Sequence, residues 1–388
     1  MERFTFQNPT RIIFGVGSIK ELEKHLPIGK KILLLYGGGS IKNNGVYDQV
    51  LSGLKSRSFV EFAGIEPNPK YETIMKGVEL SRKEKVEFIL AVGGGSVIDA
   101  AKFMALAIHY NEGDPWDILV NNTAKKVENV VPLATVLTLP ATGSEMNAYS
   151  VISRESTKEK LSFGARSCYP VFSILDPTVV KSIPPNQIAN GITDAFTHVL
   201  EQYLTYPAGA PLQDKFAESI LRTLIEEGPK VMKNPGDEVA AGNFMWCATM
   251  ALNGLLSAGV PTDWATHAIG HELTALYGID HARTLAIIAP NLYRSVFDAK
   301  KEKLAQYAEE VWKVGSGSVD EKAKLAIERT TDFFHSLGIK TKLSAYTTNY
   351  EGTSEEVLTR FKKRNVKSLG ENNIIDLEKV KEIVEMSY

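Results

Sequence analysis

The stretch F-I-L-A-V-G-G-G-S-V-I-D-A-A-K, residues 88–102, decides the fold of the first half of the chain. Its first five residues form an apolar run without polar alternation, which is typical of a strand buried on both faces of a parallel sheet. Three glycines and Ser96 follow, and the residues after them have helical spacing. A strand, a glycine turn and a helix in this order predict an α/β domain with a mostly parallel sheet.

Similar units precede and follow this stretch. Residues 30–36, K-K-I-L-L-L-Y, form a second apolar run that ends in a glycine turn, and further strands are predicted at 58–63, 133–139 and 171–175. After Pro184-Pro185 nearly every segment has the apolar periodicity of an amphipathic helix. We therefore predict two domains, an α/β domain at residues 1–185 and an all-helical domain at residues 186–388.

Composition excludes several classes of protein. The 388 residues have a formal net charge of −2 and no basic stripe, which argues against nucleic acid or an anionic membrane as the main partner. No apolar run approaches the roughly 20 residues of a membrane span, and no signal peptide is recognisable, so a cytoplasmic protein is expected. Cys168 and Cys247 are isolated in sequence and are predicted to be buried, reduced thiols.

Histidines with helical spacing predict a metal site in the second half. Three of the seven histidines lie between residues 262 and 281, and His198 follows Asp194 by four residues. Residues four apart share one face of a helix, so Asp194 with His198, and His267 with His271, can each aim at one point. Imidazoles with one carboxylate form the ligand set of a divalent transition metal. Any single pair is more often an ordinary hydrogen-bonded histidine, and the spacing leaves open which of His267 and His271 is a ligand.

Two glycine turns are candidate phosphate sites. Gly93-Gly94-Gly95-Ser96 places free backbone N–H groups at the start of a helix, where a pyrophosphate can bind, although the Rossmann glycine pattern is absent and a tight structural turn is the alternative. The turn Gly37-Gly38-Gly39-Ser40 contains no acidic residue, the first acidic residue after it is Asp48, and Lys42 is nearby. An NAD site usually has a carboxylate near the ribose, so this turn favours NADP over NAD, unless it is a loop without a ligand.

A third loop, from residue 138 to residue 147, has polar side chains clustered after a strand. Such side chains suit contacts to phosphate, ribose and carboxamide groups, although they are also common in ordinary turns. The residues in question are Thr138, Thr142, Ser144 and Asn147.

Taken together, these motifs resemble the iron-dependent (group III) alcohol dehydrogenases, which share a dehydroquinate synthase-like fold. The similarity is closest to the branch of NADP-dependent aldehyde reductases and butanol dehydrogenases. It covers the whole chain and is carried by F-G-V-G at 14–17, the turn at 37–40, G-G-G-S-V-I-D-A-A-K at 93–102, L-P-A-T-G-S-E at 139–145, the segment around residues 194–198 and the segment at 267–281.

The resemblance implies roles for individual residues. The metal ligands would be Asp194, His198, His267 and His281, with His271 beside the nicotinamide or the substrate. Gly94, Gly95 and Ser96 would hold the pyrophosphate and Ser40 the 2′-phosphate. The ribose and nicotinamide would lie near Asp99, Thr138, Thr142, Asn147 and Lys160, with Lys158 as an alternative to Lys160. A homodimer is also implied.

The predicted reaction is hydride transfer between NADP(H), or NAD, and a small primary alcohol or aldehyde such as butanol or butanal. One divalent metal is expected, iron or zinc, and manganese, cobalt and nickel accept the same ligands. The first alternative is an NAD-dependent polyol dehydrogenase of the glycerol type. A sugar-phosphate cyclase such as dehydroquinate synthase would need a basic cluster near the metal, and a metal-dependent hydrolase would leave the glycine turns without a role.

Overall fold

The computed structural model describes all 388 residues and contains a six-stranded sheet in the first half of the chain. The strands of this half are β1 (Arg11–Phe14), β2 (Lys31–Tyr36), β3 (Ser58–Phe62), β4 (Phe88–Gly94), β5 (Leu133–Leu139), β6 (Tyr149–Arg154), β7 (Glu159–Gly164) and β8 (Phe172–Leu175). The sheet order is β1-β8-β5-β4-β2-β3, and every pairing within it is parallel.

Two neighbouring interior strands, β2 and β4, confirm the prediction of a parallel sheet buried on both faces. Residues 32–35 of β2 and residues 89–92 of β4 have no solvent exposure. They pair in register, with Ile32 opposite Phe88 and Tyr36 opposite Val92. Because both faces of these strands are covered, apolar side chains occupy consecutive positions and no polar alternation is visible in the sequence.

Three strands of this half were not predicted. β1 lies at one edge of the sheet, and β6 and β7 form a separate antiparallel hairpin in which Tyr149 pairs with Gly164. The hairpin loop contains Lys158 with a positive φ of 52° and has no Asn-Gly or Asp-Gly pair. Its sequence therefore lacked the usual signal of a hairpin turn.

Fifteen helices accompany the strands, and the longest ones follow residue 184. In the first half they are α1 (Leu22–His25), α2 (Ser40–Asn43), α3 (Val46–Leu54), α4 (Tyr71–Lys83), α5 (Gly95–Ala107) and α6 (Asp117–Val120). In the second half they are α7 (Pro185–Tyr203), α8 (Pro211–Lys233), α9 (Glu238–Ala251), α10 (Ala265–Tyr277), α11 (His281–Ser295), α12 (Phe297–Glu310), α13 (Val319–Ser336), α14 (Thr353–Lys363) and α15 (Leu377–Glu385).

The chain divides into two compact units. We call residues 7–184 with 234–249 the α/β unit, and residues 1–6, 185–233 and 250–388 the helical unit. One junction coincides with the domain boundary predicted near residue 185, but two segments depart from that simple division. The N-terminus belongs to the helical unit, where Glu2 N donates to Gly259 O at 2.8 Å. Residues 234–249 belong to the α/β unit, where Thr249 Oγ1 donates to Glu145 Oε1 at 2.5 Å.

The helical unit also contains one very small sheet. Two-residue strands β9 (Ser368–Leu369) and β10 (Ile375–Asp376) pair antiparallel. Such short strands produce no periodic signal in a sequence. None of the helices of the chain combines the length and the apolarity needed to cross a membrane.

Candidate metal centre and dinucleotide loops

The five residues predicted for the metal site lie on three helices of the helical unit. Asp194 and His198 are one turn apart on α7, His267 and His271 are one turn apart on α10, and His281 is the first residue of α11. Helical spacing of four gives each pair a common face. The side chains of Asp194, His198 and His267 are almost fully buried, whereas that of His281 is 22% exposed.

Three imidazole nitrogens surround one carboxylate oxygen. The Nε2 atoms of His198, His267 and His281 lie 3.8, 4.0 and 3.9 Å from Asp194 Oδ1. Four donors bound tetrahedrally at about 2.1 Å from a metal would be about 3.4 Å apart, so these three distances to Asp194 Oδ1 are only slightly longer. The ligand atoms of Asp194, His267 and His281 all lie within 4.8 Å of one another, and this mutually close group does not include His198. The ring of His198 stacks on that of His267 with centroids 4.7 Å apart.

The residues fit a divalent cation on chemical grounds as well. Asp194 Oδ1 is buried and has no hydrogen-bond partner in the protein, and a buried carboxylate oxygen in that state is costly. Burial lowers the pKa of His198 to about 4 despite the nearby Asp194 carboxylate. This imidazole is therefore neutral at physiological pH and has a lone pair to offer to a metal.

His271 lies next to this group. Its ring centroid is 4.8 Å from that of His281 and 6.2 Å from that of His267. His271, one helical turn after His267, therefore lies at the border of the group formed by Asp194, His198, His267 and His281. It is within reach of a molecule bound next to that group.

In the α/β unit, Gly93 and Gly94 end β4, and Gly95 and Ser96 begin α5. A Cβ atom on Gly95 would come within 2.6 Å of the Thr142 side chain, and one on Gly93 within 2.5 Å of Val97. Glycine is therefore required at both positions because the neighbouring residues approach the backbone too closely for any side chain.

A buried network joins three of the predicted cofactor residues. Lys102 Nζ donates to Ser144 Oγ at 2.7 Å and to Asn147 Oδ1 at 3.0 Å, while Ser144 Oγ donates to Asp99 Oδ1 at 2.7 Å. Burial raises the pKa of Asp99, and the Lys102 charge opposes this rise. The structure therefore brings Asp99, Ser144 and Asn147 together around a lysine that the sequence did not single out.

The other predicted cofactor residues are spread around this network. Thr142 Oγ1 accepts a hydrogen bond from Ser144 N at 3.2 Å, and Thr138 lies near the end of β5. Lys160 lies on β7 and donates to Asn68 Oδ1 at 2.9 Å, whereas Lys158 is in the hairpin loop.

The first glycine turn has a cation beside it. Ser40 begins α2, and Lys42 Nζ lies 5.4 Å from the ring centre of Tyr36 and 4.8 Å from that of Tyr47. Both tyrosine hydroxyls donate to the carboxylate of Glu61, at 2.8 and 2.9 Å. These contacts hold Lys42 over two aromatic faces, which attract a cation.

Comparison with known families decides the assignment. The family model described as iron-containing alcohol dehydrogenase matches residues 9–177, and the model for the C-terminal part of the same family matches residues 188–388. The chain belongs to the iron-containing alcohol dehydrogenase family. It is an oxidoreductase that interconverts alcohols and aldehydes, as the sequence predicted.

Individual members of the family are similar over the full length. The chain is 50% identical over 387 residues to the NADPH-dependent aldehyde reductase YqhD of Escherichia coli K12, covering 99% of each chain. It is 40% identical to the NADH-dependent butanol dehydrogenase A of Clostridium acetobutylicum, covering 100% of each.

Solved structures agree with this assignment. A crystal structure of Escherichia coli YqhD has a TM-score of 0.97 at 49% identity and covers 100% of this chain and 99% of that one. The NADH-dependent butanol dehydrogenase A of Thermotoga maritima has a TM-score of 0.92 at 36% identity, with coverage of 100% and 99%. The predicted family, fold class and enzyme class are thereby confirmed.

Two residues of this alcohol dehydrogenase were missed by the sequence analysis. Glu201 is hydrogen-bonded to the His267 imidazole, and Lys102 joins the loop residues described above. Burial and the nearby Asp263 carboxylate raise the pKa of Glu201 to about 8, so a proton lies between Glu201 and the His267 imidazole at neutral pH. A signal for Glu201 existed, because positions 194, 198 and 201 share one face of a helix.

Proposed function

We propose that this enzyme reduces small aldehydes with NADPH, and oxidises the corresponding primary alcohols, at one divalent iron or zinc ion. The proposed ligands are Asp194, His198, His267 and His281. The observation that carries the proposal is the convergence of three Nε2 atoms at 3.8–4.0 Å from one buried oxygen of Asp194.

A bound metal would act as a Lewis acid toward the substrate oxygen, and a bound nicotinamide would carry the hydride. The protein contributes three neutral imidazoles and one carboxylate as ligands. The single negative charge of this set leaves a bound divalent cation with a net positive charge. His271, beside His281, is proposed to exchange the proton of the alcohol with solvent.

The proposed cofactor is NADP, with its pyrophosphate at Gly94, Gly95 and Ser96. Ser40 and the Lys42 ammonium support binding of the 2′-phosphate, because a hydroxyl and a cation both stabilise that group. The nearby carboxylate of Glu61 is engaged by two tyrosine hydroxyls. The similar YqhD of Escherichia coli is an NADPH-dependent aldehyde reductase, which supports NADP as the cofactor, whereas the butanol dehydrogenases described above are NADH-dependent. The remaining cofactor contacts are proposed for Gly37, Gly38, Gly39, Gly93, Asp99, Thr138, Thr142, Ser144, Asn147 and Lys160.

Oxidation of NADPH in the presence of propanal, butanal and hexanal, together with metal analysis of the purified enzyme, tests the proposal. We expect faster turnover of butanal with NADPH than with NADH, and about one equivalent of metal per chain. Replacing His267 with alanine should remove both the metal and the activity. A His267→Ala enzyme that keeps both would contradict the ligand assignment, and faster oxidation of glycerol with NAD would favour the polyol dehydrogenase.

We also propose a homodimer that forms through the free edge of β1. Several large apolar side chains are exposed there, and the rings of Phe14 and Trp246 contact each other with centroids 5.9 Å apart. Phe14 is 46% exposed, Trp246 is 41% exposed and Val239 is 74% exposed. An uncovered edge strand beside an apolar patch suits pairing with a second copy. Sedimentation should give a dimer for the wild type and a monomer for Trp246→Glu; a Trp246→Glu dimer would contradict this interface.

A further inference from the structure

The carboxylate of Glu201 is bonded to one of the proposed metal ligands. Glu201 lies on α7, three residues after His198, and its side chain is 1% exposed. Its Oε2 is hydrogen-bonded to Nδ1 of His267, and its Oε1 accepts from the backbone N–H of the same residue at 3.2 Å. Both oxygens of this carboxylate therefore contact a single residue of α10.

These two contacts fix both the direction and the proton of the imidazole. A neutral imidazole has one N–H, so when a cation takes the lone pair of Nε2 the proton is on Nδ1, where the Glu201 carboxylate accepts it. In His267, Nε2 is the atom that lies 4.0 Å from Asp194 Oδ1. The ring is thus oriented toward the proposed metal position by the hydrogen bond on its other nitrogen, Nδ1.

The segment before α10 is anchored by a second buried cluster. Asp263 N donates to the carbonyl oxygen of Glu201 at 2.9 Å. Lys300 Nζ lies 2.9 Å from Asp263 Oδ2 and 2.6 Å from Glu371 Oε1, and it donates to Leu204 O at 2.6 Å. Because these buried groups contact one another, the start of α10 is held against α7 near Glu201.

Trp264 adds a further restraint. It precedes α10 with a φ of +78°, an unusual value for a bulky residue, and its ring centroid lies 5.4 Å from that of His267 and 6.3 Å from that of His198. A bulky side chain keeps such a backbone conformation only when its surroundings impose it. The indole consequently packs against two of the proposed ligands.

We propose that Glu201 is a positioning residue of the metal centre, which holds His267 with Nε2 directed at the metal and thereby raises the affinity for the ion. Glu201 itself touches neither the metal nor the substrate. The inference rests on the proposed function, since it takes His267 to be a ligand. Carboxylates bonded to ligating histidines typically change metal affinity by roughly 10- to 100-fold when they are removed.

Zinc binding to metal-free protein tests this role directly. Affinities are measured by competition with a chromogenic chelator for the wild type, Glu201→Gln and Glu201→Ala. We expect Glu201→Ala to bind zinc roughly 100-fold more weakly and Glu201→Gln roughly 10-fold more weakly. In the Gln variant the amide oxygen can still accept the Nδ1 proton, but it carries no charge and the acceptor for the backbone N–H is lost. The near-isosteric Gln variant keeps the test valid if the Ala variant fails to fold.

A matched control is available on α8. Glu218 is also fully buried in the helical unit and accepts hydrogen bonds from Tyr203 Oη at 3.0 Å and from Gln306 Nε2 at 2.9 Å. Glu218→Gln should bind zinc with the affinity of the wild type. The visible absorption of the cobalt-substituted enzyme should change in Glu201→Gln and remain unchanged in Glu218→Gln, because only the former changes the hydrogen bonding of a proposed ligand, His267.

The outcomes separate this inference from the proposed function. If the wild type and Glu201→Gln bind zinc equally well, or if Glu218→Gln loses as much affinity as Glu201→Gln, the positioning role is wrong while the metal site stands. If the wild type binds no zinc or iron at all, the proposed function itself fails. Weaker binding confined to the Glu201 variants, with metal-free proteins as stable as the wild type, supports the inference.

Discussion

Replacing Lys102 with methionine should destabilise the α/β unit strongly. The side chain is fully buried, and its ammonium donates to Ser144 Oγ and Tyr149 O at 2.7 Å and to Asn147 Oδ1 at 3.0 Å. Removing one buried charged group from such a network typically lowers the free energy of unfolding by about 3–5 kcal/mol. Burial lowers the pKa of Lys102 to about 8, which means that burying its charged ammonium group itself costs free energy. We therefore expect a loss of about 3 kcal/mol, the lower end of that range.

The loss should depend on pH through Asp99. Without Lys102 this buried carboxylate keeps only the weaker charge effect of Lys160, and its pKa, which burial already raises, should rise further. The folded variant then binds a proton that the unfolded chain has released, so its stability is retained at low pH and falls as pH rises through the folded pKa. The deficit relative to the wild type should be smaller at pH 5 than at pH 8.

Urea denaturation followed by tryptophan fluorescence and circular dichroism measures both effects. A loss of about 3 kcal/mol corresponds to a lower midpoint by about 1 M for a unit of this size. Lys24→Met is the control, because Lys24 is 71% exposed and pairs only with Glu21 at the surface, where such pairs contribute about 0–1 kcal/mol. A Lys102→Met variant as stable as Lys24→Met, or a deficit independent of pH, would refute the reasoning.

Three further predictions concern the cofactor loop, the buried cluster and proton exchange. Gly95→Ala should weaken NADPH binding roughly 10-fold or more, since a Cβ within 2.6 Å of Thr142 must displace that loop; an unchanged dissociation constant by NADPH fluorescence would contradict this. Burial raises the pKa of Glu371 to about 8, with Lys300 opposing, so the folded state binds the extra proton. Unfolding free energy should therefore fall by up to about 1.4 kcal/mol per pH unit between about pH 5.5 and 8, a slope that Glu371→Gln should lack in urea titrations. His271→Ala should keep its metal but lose roughly 10²-fold or more in kcat; a variant with full kcat would exclude His271 from proton exchange.

The regions predicted correctly are those whose structure is local. β2 and β4 were recognised because consecutive apolar residues are typical of strands buried on both faces. The turn at Gly95 was recognised because consecutive glycines between an apolar run and a helical pattern indicate a strand that leads directly into a helix. β1 was missed because it is four residues long and forms an edge, and β9 and β10 because two residues carry no period. These missed elements exist only through pairing with other strands.

Residues 234–249 show the same limit at the level of domains. Their helical pattern predicted membership of the helical domain, and α9 is indeed a helix. The segment nevertheless belongs to the α/β unit, where Thr249 is hydrogen-bonded to Glu145. A Cβ atom on Gly242 would lie only 3.6 Å from the side chains of Phe14 and Pro177. A sequence pattern predicts the type of an element, but the partner of that element depends on complementary packing.

The amino-acid sequence by itself determined the classes of secondary structure, the parallel sheet, the family and the set of imidazoles and carboxylates from which a metal site could be built. Only the tertiary structure decided that Nε2 of His267 lies 4.0 Å from Asp194 Oδ1 and that Glu201 lies behind the same ring. Helical spacing predicts which side chains share a face of one helix. The direction in which an imidazole lone pair points across to another helix is set by the crossing of α7 and α10 and by the buried groups between them, which no local pattern encodes.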